Sequence, residues 1–401
     1  MGKTYRIKDI AELSGVSTGT VDRILHNRGK VSEEAQKKVE KVLKEIDYHP
    51  NLIARSLALK KKYKFVTLIP SFGQGEYWAK LSEGINKAEQ ELFSYIQKAI
   101  DEVSEKGGGT VIIPSGDYDT GAITLKSDVN LCLEAEDTVL KFTKEINHDN
   151  YPLVFAHYEG SKCYNWSPLI YAHQQKNIAV TGKGKLDGQA DKETWWNWNT
   201  TFNADGTTTK PSSADAKVLR KMTDEGVPAE DRVFGEGHFL RPNFVQPIEC
   251  ENVLIEGVTI ANSPMWELNP VLCTNFTARG VHIDTHGYNN DGCDPENCNY
   301  VLIEDCYFNT GDDCIAVKAG RNRDGRELAE AGFPTQNLII RNNTFADGHG
   351  GIACGSEMSG GIKNLFADNN TFDSPTLNYA LRFKTNAERG GAIENVYLRN
   401  S

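Results

Sequence analysis

Three acidic residues, a histidine and two cations stand in polar, glycine-bearing settings. They are Asp291 in NNDGCD, Asp312 and Asp313 in TGDDC, His349 in DGHGG, and Arg382 and Lys384 in LRFKTN. Asp291 precedes the acidic pair by 21 and 22 residues. If that interval is one turn of a repeating structure, all three carboxylates project onto one patch of surface. A carboxylic acid that protonates a leaving oxygen, beside a carboxylate that activates water, hydrolyses a glycosidic bond. His349 falls one turn further along and the cations Arg382 and Lys384 two turns, where they would grip a carboxylate on the substrate, which points to an anionic sugar. Each motif taken singly is also what a tight turn uses, because Asn, Asp and Gly are turn residues without chemistry of their own. Four such motifs in order outweigh that reading.

A repeat of the required length is present. From Tyr95 onward, YIQKAIDEVSEKGGGTVIIPSGDY reads as a helix, a Gly turn and a short strand, and many strand-length runs separated by Gly, Asn and Asp follow. A self-similar unit ends at Ile260, Ile283, Phe308, Phe345 and Phe372, at intervals of 23, 25, 37 and 27 residues. The long interval holds a polar insert, Gly320 to Gln336, expected as a loop on one coil. Strands recurring every twenty-odd residues without helices predict a solenoid, a right-handed parallel β-helix, in preference to an all-β sandwich. Residues one period apart then stack about 4.8 Å apart on adjacent coils.

The 401 residues, 39% hydrophobic and 25% charged, suit a soluble globular chain of two to three domains. Apolar runs such as Phe65–Pro70 are strand-length, too short to cross a membrane as a helix, and Met1–Ser17 holds no apolar leader. Nine cysteines, an odd number, argue against a full disulfide framework and for a reducing compartment, so the cytoplasm is the expected location. Cys293, Cys298, Cys306 and Cys314 lack C-x-x-C spacing and are expected inside the solenoid, with no metal bound. No phosphate-binding glycine loop is present, and no cofactor is expected. Trp195, Trp196 and Trp198 either stack on sugar rings or pin a polar loop.

Charge is unevenly spread. Residues 1–65 hold 15 Lys and Arg against 8 Asp and Glu, whereas the other 336 hold 29 against 47. A basic head on an acidic body implies two modules with different partners, and nucleic acid suits the head. Ile7 to Ser14 places Ile7, Ile10, Ala11 and Leu13 on one helical face, and Gly15 ends it. Ser17 is a natural N-cap for a second helix through Leu25, and Ser32 for a third through Ile46. This is a helix-turn-helix pattern, with a generic three-helix bundle as the alternative.

The stretch from Ile7 to Lys62, IKDIAELSGVSTGTVDRILHNRGKVSEEAQKK and onward, resembles the DNA-binding headpiece of lac-repressor-type regulators. The resemblance implies that Ser17, Thr18, Gly19, Thr20 and Arg23 form the DNA-reading surface, with Thr18, Gly19 and Arg23 at base edges in the major groove. It also implies a hinge over Asn51 to Leu59, with Leu57 as a minor-groove wedge, and phosphate contacts from Lys60 to Lys64. YKFVTLIPSFGQGEYWAKLSEGINKAEQEL is similar to the first strand and helix of that family's effector domain, and the likeness stops at about Leu92.

Asn289-Asn290-Asp291, Gly311-Asp312-Asp313, Gly348-His349-Gly350 and Arg382-Phe383-Lys384 together resemble glycoside hydrolase family 28, the pectin-degrading polygalacturonases. GGGTVIIPSGDY, GKGKLDG and NSPMWELNPVLC match as well, so the resemblance covers about residues 95 to 401. It implies inverting hydrolysis of galacturonate-containing polysaccharide. Asp312 would be the general acid, and Asp291 and Asp313 would position water. His349 would tune the acid, and Asn289, Arg382 and Lys384 would bind substrate. Asn269 stands where many relatives have His, and the chain ends one coil after Lys384, where relatives continue.

The expected domains are therefore a headpiece with hinge over 1–60, a regulator remnant over 61–94 and a C-terminally truncated β-helix over 95–401. One amphipathic helix from Ala79 to Lys106 would bridge the last two and cap the first coil. Three functions fit: a pectin-type hydrolase with an appended head, a DNA-binding regulator of sugar use, and an inactive hybrid. The partners are an acidic polysaccharide or oligogalacturonide and, through the head, DNA, with no membrane.

Overall fold

A computed structural model describes residues 7–25, 31–45, 95–202 and 207–401, and the chain divides into two units, Met1–Leu68 and Ile69–Ser401. In the first unit three helices, Ile7–Ser14, Thr18–Leu25 and Glu33–Glu45, bury Ile10, Ala11, Val21, Val39 and Val42 against one another. Ser17 Oγ accepts the Thr20 amide at 3.2 Å and Ser32 Oγ that of Ala35 at 3.3 Å, so both expected N-caps form. Gly15, at φ 65°, takes the left-handed turn that ends the first helix. Leu13 departs from expectation and is 56% exposed. Ile10, Ala11 and Ser14 share the inner stripe at 100° per residue, which leaves Leu13 at its edge, and Ser14 Oγ bonds Ile10 O at 2.6 Å. Asn51, Leu57 and the hinge lie outside the described residues.

The second unit is a parallel β-helix. A nine-stranded and an eight-stranded sheet are parallel throughout, and a third face is built from short strands joined by single bridges. The repeat read from the sequence is the observed register: Ile260 pairs with Ile283, Ile283 with Phe308, Phe308 with Phe345 and Phe345 with Phe372. The phenylalanines stack, with ring centroids 5.5 Å apart from Phe308 to Phe345 and 4.8 Å from Phe345 to Phe372. At one corner of the coils, Asn252, Asn275, Asn337 and Asn364 adopt φ between 57° and 62°, with Tyr300 at that place on the coil between Asn275 and Asn337. Their amides bond coil to coil, as from Asn275 Nδ2 to Asn252 Oδ1 at 2.7 Å. Asparagine tolerates the left-handed region and its amide both donates and accepts, so it recurs there.

Residues 95–105 are helical, with Ile100 in the main core beside Ile96, Ala99 and Val103. Gln97 exchanges two hydrogen bonds with the Thr124 backbone, which docks this helix on the first coil. The upstream half of the expected Ala79–Lys106 helix lies outside the described residues. All four cysteines named above are buried and unbridged.

Two excursions interrupt the coils. The hairpin Leu153–Tyr158 and Ser161–Trp166 is antiparallel. Residues 189–243 carry a helix, Pro211–Asp224, that the sequence reading missed. Together they enclose a second core of Tyr158, Cys163, Ala216, Leu219, Phe234, Leu240, Met265 and Trp266. The insert Gly320–Gln336, expected as a loop, contains the helix Asn322–Glu330. Trp195 is buried against Tyr151 and Trp198, and Trp196 Nε1 donates to Ser263 O at 2.8 Å, so these aromatics pin their loop.

Candidate active site

The third face positions the acidic residues. Leu268, Cys293, Ile315, Ile352 and Leu381 pair in register and point into the core. Asp291 and Asp313 each lie two residues before one of them, at equivalent places on adjacent coils. Asp291, Asp312 and Asp313 each offer a carboxylate oxygen within 4.8 Å of the others. The GHG glycines make the approach possible. A Cβ on Gly348 would sit 2.7 Å from Asp312 O, and one on Gly350 would sit 2.9 Å from Asp313 Oδ1.

Burial separates the three. Asp313 is fully buried, pairs with Lys384 and lies 3.7 Å from Arg382 Nη1. Asp291 is 3% exposed, and Asp312 is half-buried with its Oδ1 3.1 Å from His349 Nδ1. Burial pushes the Asp291 carboxyl well above the usual carboxylate range, and Asp294 and Asp312 push it further against the pull of Lys318. Burial likewise pushes Asp294 up to about 8 despite Lys318. Asn289 is oriented from behind, its Oδ1 accepting Arg241 Nη2 at 2.7 Å. Its neighbour Asn290 is structural, bonded to Thr285, Gly287, Ser263 and Met265.

Asn289, Asp291, Asp312 and Lys384 thus line one cleft of about 310 Å³, while Asp313 pairs with Lys384, His349 contacts Asp312, and Arg382 reaches the site through Asp313. A larger cavity, about 600 Å³, lies near Tyr171 and His173, away from these carboxylates. Asn269 is withdrawn from the cleft surface. It is fully buried, accepts from Asn243 and Gln246, and donates to Asp294 O.

Lys318 was missed by the sequence reading. Its ammonium is 3% exposed, 4.6 Å from the Trp266 ring centre and 3.2 Å from Glu357 Oε2. Burial disfavours its charge, but Glu357, Asp294 and Asp291 hold it well above its ordinary range. Burial would raise Glu357, yet Lys318, Arg389 and Arg321 pull it down to about 2. The signal for Lys318 was alternation: Ile315 and Val317 point inward, so Lys318 points to the cleft. The three-carboxylate set has spacing fit for a cation, but Lys318, Lys384 and Arg382 already meet its charge.

On the side of the earlier coils the cleft is walled by Glu159 of the hairpin turn and by Arg220. Gln246 and Glu296, on the outer side of the third face, are buried under the hairpin. His157 Nδ1 lies 2.8 Å from Glu296 Oε1, and Gln246 Nε2 donates to His157 O at 2.9 Å. In the head, Ser17, Thr18, Gly19 and Arg23 are exposed, and Thr20 is half-buried with its hydroxyl 2.9 Å from that of Ser17.

Residues 236–401 match the model for glycosyl hydrolases family 28, and residues 6–51 that for bacterial regulatory proteins of the lacI family. The crystal structure of a hyperthermoactive exopolygalacturonase from Thermotoga maritima is similar at 45% identity and a TM-score of 0.69, over 74% of this chain and 66% of that one. A probable polygalacturonase of Vitis vinifera is 29% identical over 76% of this chain and 55% of its own length. The regulator MalR of Streptococcus pneumoniae is 37% identical over 97 residues, 23% of this chain and 30% of its own length. The chain spans about half the length of the curated polygalacturonases it matches. Among the described residues, no helix is long and apolar enough to cross a membrane. The chain therefore joins two likenesses, its residues 6–51 to the lacI family of regulators and its residues 236–401 to family 28 of the glycosyl hydrolases.

Proposed function

We propose that the body hydrolyses galacturonan from a chain end, by inverting acid–base catalysis. The observation that carries this reading is the meeting of three carboxylates within 4.8 Å in a cleft lined by cations. Asp312, reachable from solvent and beside His349, protonates the glycosidic oxygen. Asp291 and Asp313 hold the attacking water. Arg382 binds a uronate carboxylate, with Lys384 shared between that carboxylate and Asp313, and Asn289 meets a sugar hydroxyl. The wall that the hairpin turn and Arg220 put across the cleft supports attack on chain ends, and the Thermotoga structure is named for exo action.

Carboxylates this close are nearer than the roughly 6.5–9.5 Å general to inverting pairs. The inverting assignment rests on the family likeness. The test is the product: polygalacturonate should release monogalacturonate from the first minutes, with the anomeric configuration inverted in fresh product by NMR. A ladder of longer oligomers would overturn the chain-end reading, and retained configuration the inverting one.

We also propose that the head binds DNA through Thr18, Gly19 and Arg23, supported by the match over residues 6–51 and the exposure of these residues. Binding should be weak and steeply salt-dependent, as for a single small reader held mainly by phosphate contacts. Nanomolar operator binding at physiological salt would contradict that expectation.

A further inference from the structure

The closed end of the cleft has a wall that the acid–base chemistry does not use. Arg220 comes from the helix Pro211–Asp224, Glu159 from the hairpin turn, and Arg321, Glu357 and Arg389 from loops of the later coils, and all line the cleft with Asp291 and Asp312. Arg220 pairs with Glu159. Arg321 Nη1 lies 3.6 Å from Glu159 Oε2 and 3.4 Å from Glu357 Oε1. Arg389 Nη2 lies 3.2 Å from Glu357 Oε1, and Lys318 touches the same carboxylate.

Lys318 is shared with Asp291 and Asp294, so three guanidinium groups face the two carboxylates Glu159 and Glu357, and the surplus is positive. Arg321 registers it: burial, then repulsion from Arg220 and Arg389, hold its guanidinium below its ordinary range. The buried Nε of Arg220 and of Arg321 has no hydrogen-bond partner among the described residues. Arg389 is committed elsewhere, to Ser356 O and Asn322 Oδ1. Unneutralised guanidinium in a concave, half-buried wall is costly unless an anion completes it, and a planar fork suits a carboxylate.

We infer that Arg220 and Arg321 form a second carboxylate-recognition site, for the uronate lodged at the closed end of the cleft. This rests on the galacturonan reading. Arg382 and Lys384 serve one sugar, and Arg220 and Arg321 serve its neighbour across the scissile bond. The substrate class is then two consecutive uronates with free carboxyl groups. A neutral or methyl-esterified sugar at the closed end would leave the surplus charge unmet, so the wall selects against esterified chain ends.

The test uses the full chain carrying Asp312→Asn to stop turnover, and titrates digalacturonate and its two singly methyl-esterified forms. Esterifying the closed-end residue should weaken binding about 10- to 100-fold, the range expected for a lost charge-assisted pair. Adding Arg220→Gln should shrink that gap to about threefold or less, and Arg220→Lys, which keeps charge without the fork, should fall between. The penalty for esterifying the other residue should survive Arg220→Gln and vanish in Arg382→Gln. If digalacturonate binds but neither penalty responds to Arg220→Gln or Arg321→Gln, the inference is overturned and the galacturonan reading stands. If unmodified digalacturonate does not bind, both fall. Arg220 sits on the surface of its helix, and circular dichroism of each variant confirms that the coil is intact.

Discussion

Lys318 Nζ lies 3.8 Å from Asp291 Oδ2, an ammonium and a carboxylate both almost fully removed from water. The pair explains how a buried carboxyl can still serve as a base. Burial and three neighbouring carboxylates, Asp294, Asp312 and Asp313, favour its protonated form, and Lys318 opposes them. A base acts only when ionised, so anything that raises the Asp291 pKa moves the acid limb of the rate profile to higher pH. Lys318→Met should therefore shift the acid limb of kcat/KM upward by about a pH unit or more, on the scale of one lost near-contact charge. An unmoved limb with a uniformly lower rate would mean that Lys318 only packs against Trp266.

Asp294 and Glu357 should leave opposite marks on stability. Asp294 sits near 8 when folded against an ordinary 3.8, so its contribution is fully present below about pH 4 and is lost as pH rises toward 8. Asp294→Asn should leave Tm little changed at pH 4 and raise it increasingly toward pH 8. Glu357, near 2 when folded, stabilises above about pH 4.5 and loses that contribution as pH falls toward 2. Glu357→Gln should lower Tm most at neutral pH and least near pH 2. Thermal scans across pH check both directions.

The aromatic stack gives a prediction about the fold alone. Phe345 is fully buried between Phe308 and Phe372 on the neighbouring coils. Phe345→Ala should cost about 3–5 kcal/mol in denaturant unfolding, because the coils above and below hold the cavity open. A cost under about 1 kcal/mol would mean that the coils collapse onto the gap.

The Phe308–Phe345–Phe372 ladder and the carboxylate patch were legible in the sequence for one physical reason. Stacking neighbours recur once per coil, at 23 to 27 residues except where the insert lengthens one coil to 37, so the register is written in the spacing. The helix Pro211–Asp224 was not legible, because its inner face of Ser212, Ala216, Leu219 and Thr223 is half polar. Leu13 misled for the converse reason, an apolar residue at the rim of a stripe whose centre is a serine. The arginine wall had no local signature, since Arg220, Arg321 and Arg389 meet only after separate excursions fold over the groove. Lys318 was within reach through strand alternation, but its partners Trp266 and Glu357 are 52 residues before it and 39 after it.

Arg382 should behave as a binding residue with a share in catalysis. It lies over the Tyr379 ring at 5.2 Å and 3.7 Å from Asp313, so its guanidinium is preset at the rim of the cleft. Arg382→Ala should raise KM for oligogalacturonate about tenfold or more, with kcat falling as well if the grip tightens in the transition state. An unchanged KM would remove Arg382 from the substrate's carboxylate.

The division of labour between Asp312 and Asp291 is tested most directly by leaving-group rescue. Asp312→Asn and Asp291→Asn are each assayed on polygalacturonate and on an aryl galacturonide whose leaving group needs no proton. Asp312→Asn should lose about 10²- to 10⁴-fold on the polymer and recover much of it on the aryl substrate. Asp291→Asn should be equally impaired on both. Equal, unrescued losses in the two variants of a folded, active parent would contradict the assignment of Asp312 as the acid.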